Sequence, residues 1–149
     1  MKLKSLFYLV LMGVMVAFTS CEEEEIKTTH TDVTGDVVGL SFNGTLVNTM
    51  TDALFCEDAV ISFSEYGGEN TQAVNFRFQS ASKGLDLSAV VNPAKANEDI
   101  VFSCGNKYPK LSGRLSGNTL YFFVPLNKTA VSLSNAATCV TYRFDGVRK

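Results

Sequence analysis

The chain of 149 residues has little of what most enzymes use. Its one histidine, His30, falls in a polar stretch ahead of the strand-patterned region. A Cys–His or Ser–His–Asp arrangement needs an imidazole within hydrogen-bond reach of the nucleophile, so nucleophilic catalysis of either kind has no base here. No Gly-x-Ser-x-Gly, His-Glu-x-x-His or phosphate-loop pattern occurs. The four cysteines include no Cys-x-x-Cys pair, which leaves no metal-ligand spacing, and no cofactor is expected. Charge of one sign is also missing, with 13 Lys+Arg against 15 Asp+Glu. That balance argues against a nucleic-acid binder working by phosphate neutralisation. No apolar run reaches the ~20 residues of a membrane-spanning helix.

What is there begins with an address. Lys2 and Lys4 precede a thirteen-residue apolar stretch, Leu6 to Phe18, followed by Phe18-Thr19-Ser20-Cys21. Two small residues before a cysteine at the end of such a stretch resemble the lipobox of bacterial lipoproteins. The resemblance implies a signal peptide over 1–20 and a diacylglycerol on the Cys21 thiol. Each buried methylene contributes about 0.8 kcal/mol, so two or three acyl chains make a stable membrane anchor. Glu22, Glu23, Glu24 and Glu25 follow at once and stay solvated by mutual repulsion. This tetrad resembles the acidic export signal of Bacteroidota lipoproteins, which implies display on the outer face of the outer membrane. Residues 26 to 35 are polar, β-branched and non-periodic, and complete an extended tether over 21–35.

From 36 to 149 the pattern is strands nearly throughout. Val38, Leu40, Phe42, Gly44 and Leu46 share one parity, which predicts one long strand bent at Gly44; Asn43-Gly44 as a hairpin turn is the alternative. In 111–124 the parity changes across Gly117-Asn118. A two-residue loop there puts Leu115 against Leu120, Gly113 against Phe122 and Leu111 against Val124. Further alternating segments are 59–63, 74–78, 85–91, 100–104, 131–133 and 140–144. Asn92-Pro93 reads as the cap and first position of one helical turn over 93–97. Residues 49–57 are ambiguous, with a helical turn as one reading. About eight short strands with tight links predict an all-β, antiparallel up-and-down barrel, with a two-sheet β-sandwich as the alternative.

The first strand (Val37-Val38-Gly39-Leu40-Ser41-Phe42-Asn43-Gly44-Thr45-Leu46) and the Leu-Ser-Gly-Arg-Leu-Ser-Gly-Asn-Thr-Leu hairpin resemble the calycin-like (lipocalin-like) domains of Bacteroidota lipoproteins. The resemblance covers 36–149. It implies a monomeric, non-enzymatic binding or interaction module for a small apolar ligand, a glycan or a protein. It also allows a hydrolase inhibitor that uses loops at one barrel rim.

Three cysteines remain once Cys21 is lipidated, which permits one bridge and three pairings. The favoured one is Cys56–Cys104; three buried thiols without a bridge is the alternative. Tyr121 and Phe123 lie on the parity opposite to Leu120, Phe122 and Val124, so both point outward as a candidate binding platform. Lys107, Lys110 and Arg114 flank Tyr108 and read as a solvated rim, with an anion site as the alternative. Glu57, Asp58, Glu65, Glu69, Glu98 and Asp99 are the acids available to a glycosidase, each in a turn or at a strand end.

Overall fold

Period-two burial builds eight strands, which close on themselves. The computed structural model describes residues 32–69 and 71–149; Cys21, Glu22–Glu25, His30 and the expected signal peptide lie outside the described residues. The strands are β1 (Ser41–Asn48), β2 (Leu54–Glu65), β3 (Val74–Ser80), β4 (Leu85–Ala96), β5 (Asp99–Ser103), β6 (Ser112–Ser116), β7 (Thr119–Leu126) and β8 (Val140–Arg148). Each pairs antiparallel with its sequence neighbour, and β8 pairs with β1 from Phe42–Arg148 to Asn48–Tyr142. The chain is therefore an up-and-down barrel. Closure leaves no free sheet edge and excludes the two-sheet alternative.

Glycines make the closure possible. Gly44 on β1 sits directly opposite Gly146 on β8. A Cβ on Gly44 would collide with the backbone carbonyl of Asp145 and lie 2.6 Å from the Gly146 Cα. The two strands thus approach more closely than side chains allow. The chain runs through Asn43-Gly44 as one strand, with no hairpin. It begins only at Ser41, because Gly39 adopts φ +90° and Val38 belongs to the turn before it.

The β6–β7 hairpin pairs Leu115 with Leu120 and Gly113 with Phe122, around Gly117 at φ +60°. Its regular pairing stops at Ser112–Phe123, one residue short of the expected Leu111–Val124 pair, although both of those side chains are fully buried.

Three local expectations are corrected. Residues 93–97 form no helical turn: β4 runs on through Pro93, which pairs with Phe102. The last β3–β4 pair is Val74–Val91, so β4 at Pro93 has a partner on one side only and accommodates a residue without an N–H. In the ambiguous 49–57 stretch, 54–57 belong to β2. Cys56 and Ala59 both face inward although three residues apart, because the register against β1 slips between Gly44–Ala59 and Leu46–Cys56. That bulge breaks the alternation. Finally, residues 32–35, expected as the end of an extended linker, belong with the barrel. The barrel unit starts at Asp32, and a helical turn, α1 (Thr34–Val37), follows. Val33 and Val37 are buried, and Gly39 N–H donates to the Phe63 carbonyl at 2.9 Å. The segment is held because it caps the apolar interior at the near end, where β1 begins.

Phenyl rings fill that interior. Phe42, Phe63, Phe76, Phe78, Phe102, Phe122 and Phe144 are each at most 2% exposed. Phe63 stacks on Phe102 with centroids 4.8 Å apart, Phe76 meets Phe122 at 4.8 Å, and Phe102 meets Phe122 at 5.5 Å. Rings from β2, β3, β5 and β7 thus touch across the barrel axis.

Candidate functional site

With the axis occupied, the wall and the rims carry the chemistry. Because β7 alternates from Thr119 to Val124, turning Leu120, Phe122 and Val124 inward forces Tyr121 and Phe123 out. They are 48% and 41% exposed. Register places Tyr121 between Arg114 on β6 and Asp145 on β8, and Phe123 between Ser112 and Arg143. Both arginines are engaged. Arg114 donates to Asp99 at 3.0 Å, and Arg143 donates through Nε to Asp145 at 2.9 Å. The Asp145 carboxylate holds the Arg143 guanidinium above its ordinary range. Of the four residues that flank the two rings across the ladder, Ser112 opposite Phe123 is the one small hydroxyl side chain.

The far rim consists of the β1–β2, β3–β4, β5–β6 and β7–β8 links. The last is long yet well fastened. Asn127 N–H donates to the Ser132 carbonyl at 3.0 Å, while its side-chain oxygen accepts from the N–H of Val131 at 2.9 Å. Leu133 forms a single bridge with Leu126, so only part of the expected 131–133 strand piece is present. Val131 is left 60% exposed on this clamped loop. The loop before β2 is fastened in the same way, by the Asn48 side chain accepting from Met50 N–H at 2.9 Å.

Beside these loops a groove of about 460 Å³ is lined by 54–58 of β2 with Ser82 and Lys83. Lys83 lies over the Phe55 ring at 4.7 Å. Asp58 accepts from Ser80 Oγ, Ser82 Oγ and Ser82 N–H, each at 2.7 Å. These bonds favour the carboxylate and pull its pKa down to about 2. An acid so committed ties the β3–β4 turn to β2 and has no proton to give near neutrality. The other candidate acids are spread over the barrel. Glu65, Glu69, Glu98 and Asp99 belong to the near end, opposite Glu57 and Asp58, and Asp99 is paired with Arg114. They do not converge as a glycosidase pair.

The Cys56–Cys104 bridge is not formed; Cys56, Cys104 and Cys139 are free. Cys56 sits at the start of β2, within reach of Ser80, whereas Cys104 follows β5 and donates to the Val90 carbonyl of β4 at 3.2 Å. Two strands separate them around the wall. Burial pushes both thiols above their ordinary range. Among the described residues no cluster of His, Cys, Asp and Glu could hold a metal ion.

One feature escapes a reading of net charge. Residues 100–144 contain five bases (Lys107, Lys110, Arg114, Lys128, Arg143) and no acid, whereas 32–99 contain ten acids and three bases. The halves cancel in the total, which hides the segregation; counting acids along the chain would have exposed it.

No family model matches this chain, and neither the curated proteins nor the solved structures contain a match.

Proposed function

We propose that this protein is a non-enzymatic recognition module, tethered to the outer membrane through lipidated Cys21, that engages its partner with the outside of the barrel. One observation carries the reading: seven buried phenyl rings occupy the space in which an internal apolar ligand would sit. Recognition then falls to the outward Tyr121 and Phe123 and to the far-rim loops. The barrel's near end is the one where Asp32 lies, and the far rim is at its other end. Glu22–Glu25 serve as the export signal.

The test of the reading is titration with a fluorescent fatty acid. No saturable binding is expected; a stoichiometric micromolar complex would return the ligand to the interior. The anchor has its own test. Cys21→Ser is expected to release the protein from the membrane fraction, and persistence through an alkaline wash refutes lipidation. Deleting Glu22–Glu25 is expected to abolish digestion by protease on intact cells while lipidation persists.

A hydrolase inhibitor is the second reading. The clamped 127–132 loop, with Lys128 and exposed Val131, favours it, because a preorganised projecting loop loses little entropy on entering a cleft.

A further inference from the structure

Next-neighbour pairing maps stretches of sequence onto contiguous sectors of the wall, so the acid-free run 100–144 occupies one side of the barrel. That sector holds most of β5, all of β6 and β7, the start of β8 and two adjoining far-rim loops. Of its bases, Arg114 and Arg143 are neutralised by Asp99 and Asp145. Lys107, Lys110 and Lys128, on the β5–β6 and β7–β8 loops, form no ion pair among the described residues. On the wall of the same sector lie the exposed rings of Tyr121 and Phe123.

We propose that this sector binds an acidic polysaccharide, with Tyr121 and Phe123 stacking on sugar faces and Lys107, Lys110 and Lys128 meeting the carboxylates or sulfates. Charge complementarity sets the sign of the ligand. Its class follows from the surroundings. Lysine is depleted at protein interfaces, and the core of such an interface is apolar. Here the rings are flanked by the ion-paired Arg114, Arg143 and Asp145 and by Ser112, a polar border rather than an apolar one, and the lysines without an ion pair lie on two rim loops. A polar border suits a hydrated sugar chain, and point charges carried on two different loops suit an anion that repeats along a polymer. The proposal rests on the reading that recognition is external, but it is tested separately: a fatty acid bound inside would overturn that reading and leave this one standing.

The experiment titrates the soluble Cys21→Ser chain with oligogalacturonate, oligoalginate and a heparin hexasaccharide. Maltohexaose serves as the neutral comparator and hexaglutamate as the peptide one. At least one acidic glycan is expected to bind, weakening about ten-fold as NaCl rises from about 50 to about 300 mM, since the contacts are exposed and screened. Replacing Lys107, Lys110 and Lys128 by Gln is expected to cost at least about ten-fold in affinity at low salt, with Lys95→Gln on the acid-rich side without effect. Tyr121→Ala, alone and with Phe123→Ala, is expected to weaken the glycan about five-fold and leave hexaglutamate unchanged. Unaltered thermal melting verifies that these surface variants are folded. Failure of all three acidic glycans, or equal binding of maltohexaose, overturns the proposal. Hexaglutamate binding as tightly, with no response to the ring substitutions, overturns it in favour of an acidic protein surface.

Discussion

Replacing Phe122 by alanine asks the most of the packed interior. Phe122 is fully buried and touches the rings of Phe63, Phe76 and Phe102 at centroid distances of 6.2, 4.8 and 5.5 Å. It also covers Gly113 on the paired strand, where a Cβ would lie against its ring. Removing the phenyl forfeits roughly 2 kcal/mol of transfer free energy. The neighbours are rings held by three different strands of a closed wall, and they cannot collapse inward without distorting the ladder. A residual cavity on the order of 100 Å³ at about 24 cal/mol per Å³ adds roughly 2 kcal/mol more. The expected loss is therefore about 4 kcal/mol, within the usual 3–5 for Phe→Ala. Urea unfolding followed by far-ultraviolet circular dichroism measures it through a lower midpoint at unchanged slope. The vacated space is apolar, so benzene is expected to stabilise the variant and leave the parent chain unaffected. A loss below about 1 kcal/mol, or equal stabilisation of the parent by benzene, would show that the rings do not fill the axis.

Three further outcomes are expected. Gly44→Ala sets a Cβ against the backbone of Asp145 and Gly146, which cannot rotate away; a loss of about 3 kcal/mol or more in urea unfolding is expected, and a loss under 1 refutes close β1–β8 contact. Asp58 has its carboxyl depressed to about 2 from 3.8 by the Ser82 and Ser80 donors. The stability it contributes is present above pH 3.8 and disappears as pH falls toward 2. Asp58→Asn is expected to lower the melting temperature at neutral pH and to flatten its decline between pH 4 and 2, and an unchanged acid limb refutes the turn-tying role. Cysteine titration of denatured, unreduced Cys21→Ser chain is expected to find three thiols, whereas one would reveal a bridge. In the native protein Cys139 should react first, because Cys56 and Cys104 are buried and burial disfavours their thiolates.

The wall was legible wherever alternation was unbroken. Val74, Phe76 and Phe78, or Leu120, Phe122 and Val124, mark strand and inward face without help from the rest of the chain. Reading failed where tertiary structure changes the period or removes a constraint. The bulge at 56–59 inverts parity within β2, and no local signal announces it. Asn92-Pro93 carries a true helix-start pattern, overridden because β3 has ended and β5 takes up the strand. Val33 and Val37 sit in a polar stretch, and their burial depends on a barrel mouth assembled from distant residues. Cysteine parity placed Cys104 inward correctly but could not tell how many strands lie between it and Cys56. Of the candidate site, the outward Tyr121 and Phe123 followed from strand parity, while the ion pairs that neutralise Arg114 and Arg143 depend on cross-strand register.

The same topology explains how a neutral domain can carry a charged face. In a barrel whose strands follow one another in order, position along the sequence becomes position around the wall. A block of ten acids and three bases therefore ends up as one side of the cylinder, and an acid-free block with five bases as another. A Greek-key connection would carry strands from one block between strands of the other and mix the charges. Attraction between the blocks is satisfied where they meet, at the Asp99–Arg114 pair on β5 and β6. The Lys107, Lys110 and Lys128 side chains lie beyond that seam, on loops. Exposed charges more than about 8 Å apart scarcely feel one another at physiological salt, so these lysines contribute little to folding wherever no partner stands close. Their cost is equally small, and stability alone gives no reason for bases to collect there without a single acid. A surface that folding leaves indifferent, yet that gathers three lysines without ion pairs and two exposed aromatic rings, is where selection for a binding partner would act.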